Sequence, residues 1–255
     1  MPLHVVDLGD GPPVVLLHPG PGLDGSVFLP GANALTEAGY RALLVDLPGS
    51  GRSPAVEWTL AAHAREVETV MRALDEPTLL GHSFGGYVAM QHLVDFPGSA
   101  ARLVASSTDA DEDPPPGAPE DPFADIPASV QDAFEREEHV STPEECHEVW
   151  RDQMPFFAVE VDDAVRMLDD VVFQPEAHRE RDWGELRALD ALAATDIPVL
   201  SIVGEHERLS TKLAERIAAT APRGELLVIP GTAHFPFAEA PDRYWPALID
   251  WLNRT

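Results

Sequence analysis

Cysteine is almost absent from this chain, and positively charged side chains are few. The single cysteine, Cys146, excludes an internal disulfide bond and cannot build a metal cluster by itself. The glutamates around it oppose thiolate formation, so we interpret this residue as structural. The 17 lysines and arginines are outnumbered by 44 aspartates and glutamates, which gives a net charge of -27. A surface this negative repels nucleic-acid phosphates and anionic membranes, and we expect neither as a partner.

Long hydrophobic runs are also missing. The N-terminal segment MPLHVVDLGDG lacks the basic and apolar regions of a signal peptide, and no later run approaches the length of a membrane span. A chain of 255 residues, 44% of them hydrophobic, is still long enough for one large domain or for a core with an inserted subdomain. Because neither a signal peptide nor a membrane span is predicted, we expect a soluble, cytoplasmic protein.

Short apolar runs alternate with helical patterns along most of the chain. Strands are predicted at 14–17, 42–45, 78–80, 103–106, 199–203 and 226–229. Helices are predicted at 26–38, 60–74, 84–95 and 242–253; in the second of these, apolar residues recur at steps of three and four. Such an alternation is typical of a mostly parallel sheet with helices on both faces, the α/β class.

The stretch 109–182 interrupts this alternation. It opens with DADEDPPPGAPEDP, which is too rich in proline and charge for a strand, and continues as helical patterns at 128–139, 143–153 and 161–171. It contains 23 acidic and 5 basic residues, so a net charge of -18 out of -27 lies in this one insert. We predict a core formed by 1–108 and 183–255 with an acidic helical insert at 109–182.

The motif GHSFGG at residues 81–86 carries the clearest chemical information. It follows a predicted strand and precedes a predicted helix, which is the context of a nucleophile elbow. A serine on such a strained turn needs neighbours with almost no side chain two residues away on either side, and both positions are glycine. The turn lifts the serine hydroxyl above the sheet and directs the first N–H groups of the helix at the reacting oxygen. We therefore predict that Ser83 is a nucleophile.

The order of motifs resembles that of the α/β-hydrolase superfamily: strand, HPGPG, helix, strand, DLPGSGRS, helix, strand, GHSFGG. The resemblance covers the chain apart from 109–182, which stands where the family carries its cap, after the sixth strand. HPGPG is similar to the HGGPG loop of proline iminopeptidases, with Pro19 in place of a glycine. GHSFGG differs from the GGSWG of those enzymes and is common among esterases, lactonases and C–C hydrolases. The resemblance implies a mostly parallel, twisted sheet flanked by helices, with a helical cap.

The HPGPG segment, residues 18–22, directly follows a buried strand. Proline has no N–H, so Gly20 is the only backbone donor between His18 and Gly22. The flanking prolines restrict the backbone and fix the direction of that donor, which an oxyanion hole requires. We predict that the N–H groups of Gly20 and Phe84 form the oxyanion hole. We interpret His18 as a residue that positions this loop.

The general base is predicted at His234. It lies in PGTAHFP, residues 230–236, just after the last predicted strand. A loop at this point reaches back over the sheet towards Ser83, and the order serine, acid, histidine is the one expected of the resembled family.

The acid that orients the base is predicted at Glu207, and two alternatives stay open. The resemblance implies an acid three residues after Gly204, where the family usually has aspartate. Glutamate can also hold the imidazole tautomer and stabilise the imidazolium. Glu205 in the same loop is one alternative; Asp109 and Asp111, after the strand before the insert, are the other.

Together these residues predict a serine hydrolase that cleaves a small-molecule ester, amide or lactone through an acyl-enzyme. No HExxH or comparable cluster occurs, so we expect neither a metal nor another cofactor. An acidic cap can recognise an α-ammonium group, which favours an aminopeptidase or aminoacyl hydrolase similar to proline iminopeptidases. The alternatives are an enol-lactone or C–C hydrolase with the same triad, or a ligand-binding relative with slow turnover. The sequence leaves the substrate and the oligomeric state open.

Overall fold

A seven-stranded sheet forms the centre of the computed structural model, which describes residues 2–179, 183–209 and 211–255. The strands are β1 Val5–Leu8, β2 Pro13–Leu17, β3 Arg41–Val45, β4 Thr78–His82, β5 Arg102–Ser106, β6 Val199–Gly204 and β7 Gly224–Ile229. Their spatial order is β1-β3-β2-β4-β5-β6-β7. Strand β1 pairs antiparallel with β3, and all other pairs are parallel. The predicted α/β class and mostly parallel sheet are confirmed.

The six predicted strands are present with boundaries that differ by at most two residues. The antiparallel edge strand β1 was not predicted. Its residues are only partly buried or exposed, so it lacks the continuous apolar run by which the central strands were recognised.

Eleven α-helices accompany the sheet within the described residues. They are α1 Leu29–Glu37, α2 Leu60–Met71, α3 Phe84–Asp95, α4 Ala128–Glu137, α5 Pro143–Phe157, α6 Val161–Arg166, α7 Pro175–Arg179, α8 Leu189–Ala194, α9 Thr211–Thr220, α10 Pro236–Glu239 and α11 Pro241–Leu252. A short 3₁₀ helix at Gly25–Phe28 precedes α1 and occupies the start of the helix predicted at 26–38. Within the described residues, no helix is long and apolar enough to cross a membrane.

Helices cover both faces of the sheet because successive side chains of a buried strand point in opposite directions. In β2, Val14 and Leu16 belong to the core cluster formed with α1 and α11. Val15 and Leu17 belong to the cluster on the other face, formed with α2 and α3. The strands are therefore apolar on both sides, and only their ends are available for polar groups.

The segment 109–182 leaves the sheet after β5 and contains α4 to α7. The insert thus follows the fifth strand of the chain, whereas the family resemblance predicts that it follows the sixth. The predicted end of the segment falls on residues 180–182, which lie outside the described residues. Helix α5 runs four residues beyond its predicted end at 153. Helix α6 ends at Arg166, five residues before its predicted end, because Asp169 and Asp170 would place negative charge at a helix C-terminus.

Candidate active site

Ser83 stands between β4 and α3 in a strained backbone conformation, with φ 52° and ψ -118°. Glycine is required around it because there is no room for a side chain. A Cβ atom on Gly81 would overlap the carbonyl oxygen of Gly85, and one on Gly85 would overlap that of Leu17. The turn is therefore fixed by backbone packing against β2, and it leaves the Ser83 side chain only half-buried at the carboxyl end of the sheet.

The structure brings Ser83, His234 and Glu207 together. Nε2 of His234 lies 3.0 Å from Oγ of Ser83, and Nδ1 lies 2.8 Å from Oε2 of Glu207. The side chains of His234 and Glu207 are 4% and 3% exposed. An ionised carboxylate can only accept hydrogen bonds, so Nδ1 of His234 carries the proton and donates a hydrogen bond to Glu207. This tautomer leaves the lone pair of Nε2 facing the serine hydroxyl, as a general base requires.

Glu207 remains ionised in this buried position. Burial acts to raise its pKa, but the facing His234 and the Leu209 N–H outweigh that effect and hold the pKa below its usual value. The loops after β6 and β7 carry Glu207 and His234, and they meet because these adjacent parallel strands end at the same edge of the sheet.

The alternative acids have other partners. Glu205 is exposed and accepts a hydrogen bond from the Gly231 N–H. Asp109 is paired with Arg216, and Asp111 with Arg187.

His18 holds the predicted oxyanion loop in place. Its Nε2 accepts a hydrogen bond from the Leu47 N–H at 3.0 Å, so its Nδ1 carries the proton and donates to the Pro19 carbonyl. Burial lowers its pKa, which keeps the ring neutral. Gly20 has φ +137°, a conformation that favours glycine. Among the described groups, the N–H of Gly20 and that of Phe84 have no hydrogen-bond acceptor, so both are available to a ligand.

His82, the residue before the serine, packs against the base. The centroids of the His82 and His234 rings lie 5.1 Å apart, and Nδ1 of His82 lies 3.0 Å from Oγ of Ser106. Complete burial, with a further contribution from His234, places the pKa of His82 well below its usual value. It is therefore a neutral packing surface for the base.

Aromatic rings surround the three residues. On one side the Trp58 and Phe84 rings are parallel at 6.2 Å, and Trp183 lies 5.2 Å from Phe84. On the other side the ring of Phe157, from the end of α5, lies 5.2 Å from that of His234. A cavity of about 20 Å³ touches Ser83, which is enough for about one water molecule. Aromatic rings therefore pack beside Phe84 and His234, whereas the small cavity is lined by polar residues such as Ser107 and Thr108 as well as by apolar ones.

Six glutamates in or beside helices α4 and α5 of the insert do not line the cavity that touches Ser83. Five are exposed: Glu135, Glu138, Glu144, Glu145 and Glu148. Glu145 caps α5 by accepting from Ser141 and Thr142. The sixth, Glu137, is buried and accepts from Gln153 on α5. The structure therefore lends no support to the expectation that these carboxylates point towards the serine.

Sequence reasoning missed one carboxylate near the site, Glu239. It is 5% exposed and accepts backbone hydrogen bonds from the residues on both sides of His234. A signal was present, because a single charged residue in the apolar run FPFAEAP is typical of a buried and fully hydrogen-bonded carboxylate.

Comparison with known proteins agrees with this architecture. The profile of the "Alpha/beta hydrolase family" matches residues 14–247. A pimeloyl-[acyl-carrier protein] methyl ester esterase of Shewanella oneidensis is 26% identical over 99% of this chain and 95% of its own. A thermophilic esterase from Thermogutta terrifontis is 25% identical, with a TM-score of 0.77 over 99% of this chain and 93% of its own. A proline iminopeptidase of Mycobacterium smegmatis has a TM-score of 0.70 over 98% and 94%, and its 21% identity shows the fold alone. Since the profile spans nearly the whole sheet and the loops that carry Ser83, Glu207 and His234, the chain belongs to the α/β-hydrolase family.

Proposed function

We propose that the chain is a serine esterase in which Ser83, His234 and Glu207 form the catalytic triad. The observation that carries the proposal is the pair of hydrogen bonds, at 3.0 and 2.8 Å, that joins the serine hydroxyl to the imidazole and the imidazole to a buried carboxylate. This arrangement activates a hydroxyl that is otherwise a weak nucleophile.

The mechanism follows from the proton positions. Ser83 Oγ attacks the ester carbonyl while its proton passes to Nε2 of His234, and the resulting imidazolium is stabilised by Glu207. The same proton then goes to the departing alcohol, which leaves an acyl group on Ser83. A water molecule repeats the attack with His234 as base, releasing the acid and restoring the hydroxyl.

The N–H groups of Gly20 and Phe84 are proposed to bind the carbonyl oxygen as its charge grows. Support comes from their unpaired state and from the fixed loop and helix that carry them. Loss of one such donor typically costs about 2.7–4 kcal/mol of transition-state stabilisation.

The proposed substrate is a small, uncharged ester. The partly buried rings of Trp58 and Phe157 offer apolar contact area, and the exposed glutamates of the insert offer no buried partner for an ammonium group. An ester therefore fits better than an aminoacyl amide. Two of the compared relatives are also named as esterases. The negative surface further supports the prediction of no nucleic-acid or anionic-membrane partner.

The test is a panel of substrates measured side by side: p-nitrophenyl acetate and butyrate, a lactone, a C–C hydrolase substrate, and prolyl and alanyl p-nitroanilides with and without N-acetylation. We expect kcat/KM for the esters to exceed that for the free aminoacyl anilides by at least about 100-fold, a difference of roughly 2.7 kcal/mol. Faster cleavage of the free aminoacyl anilides than of their acetylated forms would assign an aminopeptidase. The absence of both turnover and fluorophosphonate labelling at Ser83 would assign a binding protein.

A further inference from the structure

Glu239 is a buried carboxylate that accepts four backbone hydrogen bonds. Its Oε1 accepts from the N–H of Ala233 at 2.9 Å and of Phe235 at 3.2 Å. Its Oε2 accepts from the N–H of Val159 at 2.7 Å and of Glu160 at 3.2 Å. The side chain is 5% exposed, so water cannot replace these partners.

The four donors belong to two segments that are distant in the chain. Ala233 and Phe235 stand on either side of His234, in the loop between β7 and α10. Val159 and Glu160 form the connection between α5 and α6 in the insert. The His234 N–H also donates to the Phe157 carbonyl at 2.8 Å, so the insert contacts the backbone of the base itself. Each oxygen of one carboxylate thus serves one of the two segments.

This arrangement controls the direction of the His234 side chain. The loop is irregular, and its N–H groups have no strand or helix to pair with. Fixing the N–H groups before and after residue 234 fixes the peptide planes on both sides of its Cα atom, and hence the direction in which the imidazole leaves the backbone. Hydrogen bonds to a buried carboxylate are charge-assisted and roughly twice as strong as neutral ones, which suits them to this task.

We propose that Glu239 is a positioning residue. It orients His234 through the peptide groups on either side of that histidine, and it makes this orientation depend on the position of the 157–160 segment. The residue acts through the backbone of the base and does not touch the substrate. The inference rests on the proposed function, since it concerns the same histidine.

The decisive variant is Glu239→Gln, because an amide has only one acceptor oxygen and its NH₂ group faces two N–H donors. Its matched control is Glu68→Gln. Glu68 is also partly buried and accepts from His92 and Ser99, at 2.8 and 2.6 Å, but it belongs to α2 and lies outside the proposed site.

We expect kcat of Glu239→Gln on the best ester to fall by about 10–100-fold with KM changed less than threefold, since small misplacements of a catalytic group have effects of this size. Glu68→Gln should keep kcat within twofold at a similar loss of melting temperature. Equal effects of the two variants on kcat would overturn the proposal.

A second readout does not depend on turnover. The proton between His234 Nδ1 and Glu207 should give a low-field resonance in the NMR spectrum of the wild type, and Glu207→Gln should abolish it. We expect Glu239→Gln to shift or broaden this signal and Glu68→Gln to leave it unchanged. If the wild type hydrolyses no ester, the proposed function fails while this comparison still decides the role of Glu239. An unchanged signal in Glu239→Gln would overturn the positioning role.

Should Glu239→Gln not fold, hydrogen exchange in the wild-type protein tests the same contacts. The amides of Ala233, Phe235, Val159 and Glu160 lie outside strands and helices, or at their edges, and exchange rapidly unless the carboxylate holds them. We expect all four to exchange at least about 100-fold more slowly than the exposed amide of Gly117, because exchange then requires local opening. Exchange at the rate of Gly117 in either pair would overturn the proposal.

Discussion

The nucleophile elbow and the base loop are both irregular turns at the carboxyl end of the sheet, yet they are held in place by different physical means. At the elbow, backbone atoms of Gly81, Gly85 and Leu17 approach so closely that no side chain fits between them. In the base loop, defined here as residues 230–235, position depends on carboxylates: Glu205 binds Gly231, Glu207 binds His234, and Glu239 binds the flanking amides.

The difference determines how each turn tolerates change. At the elbow, the closely approaching backbone atoms cannot move apart, so a single added methyl group disrupts the turn. Hydrogen bonds to carboxylates can be removed one at a time, and the cost of each depends on burial and on the atom that it holds. The elbow should therefore fail as a unit, and the base loop by degrees.

The largest effect is expected at the nucleophile itself. Ser83→Ala should lower kcat on the best ester by about 10⁶-fold, because the hydroxyl supplies the covalent step. The elbow geometry does not depend on the hydroxyl, so the circular dichroism spectrum and melting temperature should stay close to those of the wild type. More than trace activity in this folded variant, or fluorophosphonate labelling at another serine, would refute the assignment.

Within the base loop, Glu207→Gln should be the most severe change. We expect kcat to fall by about 10⁴-fold, since a neutral amide no longer selects the tautomer with a free Nε2 lone pair. Asp109→Asn is the matched comparison, and it should change kcat by less than about tenfold because Asp109 is paired with Arg216. A severe effect of Asp109→Asn with a mild one of Glu207→Gln would move the acid to the end of β5.

At the elbow, Gly85→Ala should reduce the free energy of unfolding by about 3 kcal/mol or more, because its Cβ would overlap the Leu17 carbonyl. Gly98→Ala provides the control. Unlike Gly85, Gly98 adopts a left-handed φ, at +86°, and it has open space around it, so only about 1 kcal/mol of backbone strain is expected. Urea denaturation measures both values. Equal losses would show that backbone packing does not fix the elbow.

The smallest effect is expected at the exposed end of the base loop. Glu205→Gln should lower kcat by no more than about twofold, because an exposed carboxylate contributes little and water replaces its hydrogen bond. Steady-state kinetics beside Glu239→Gln then separates exposed from buried support of the same loop. A loss at Glu205 as large as that at Glu239 would show that burial is not the deciding property.

The same distinction explains what could be predicted from the sequence. The sequence signature of the elbow lies within the six residues 81–86, and its glycines identify it directly, although Gly85 packs against Leu17 from a distant part of the chain. The sequence predicts Glu207 as the acid but leaves Glu205, Asp109 and Asp111 open, because the partners that occupy the two aspartates are 107 and 76 residues away in the chain. The contacts of Glu239 were missed for the same reason, since half of its donors lie about 80 residues upstream. Local strand runs were predictable, whereas the direction of the insert's glutamates depends on how its helices pack.

The outward-facing glutamates of the insert have a consequence for the rate at which substrates arrive. A concentrated negative surface close to an active site opposes the diffusional approach of an anionic ester and leaves that of a neutral one unaffected. At low ionic strength the electrostatic field of this surface extends well beyond the molecule, and at 0.1 M salt it is screened within about 10 Å. For the proposed esterase, added salt should therefore raise the association rate of negatively charged esters selectively, so that selection among substrates would begin before any of them contacts the site.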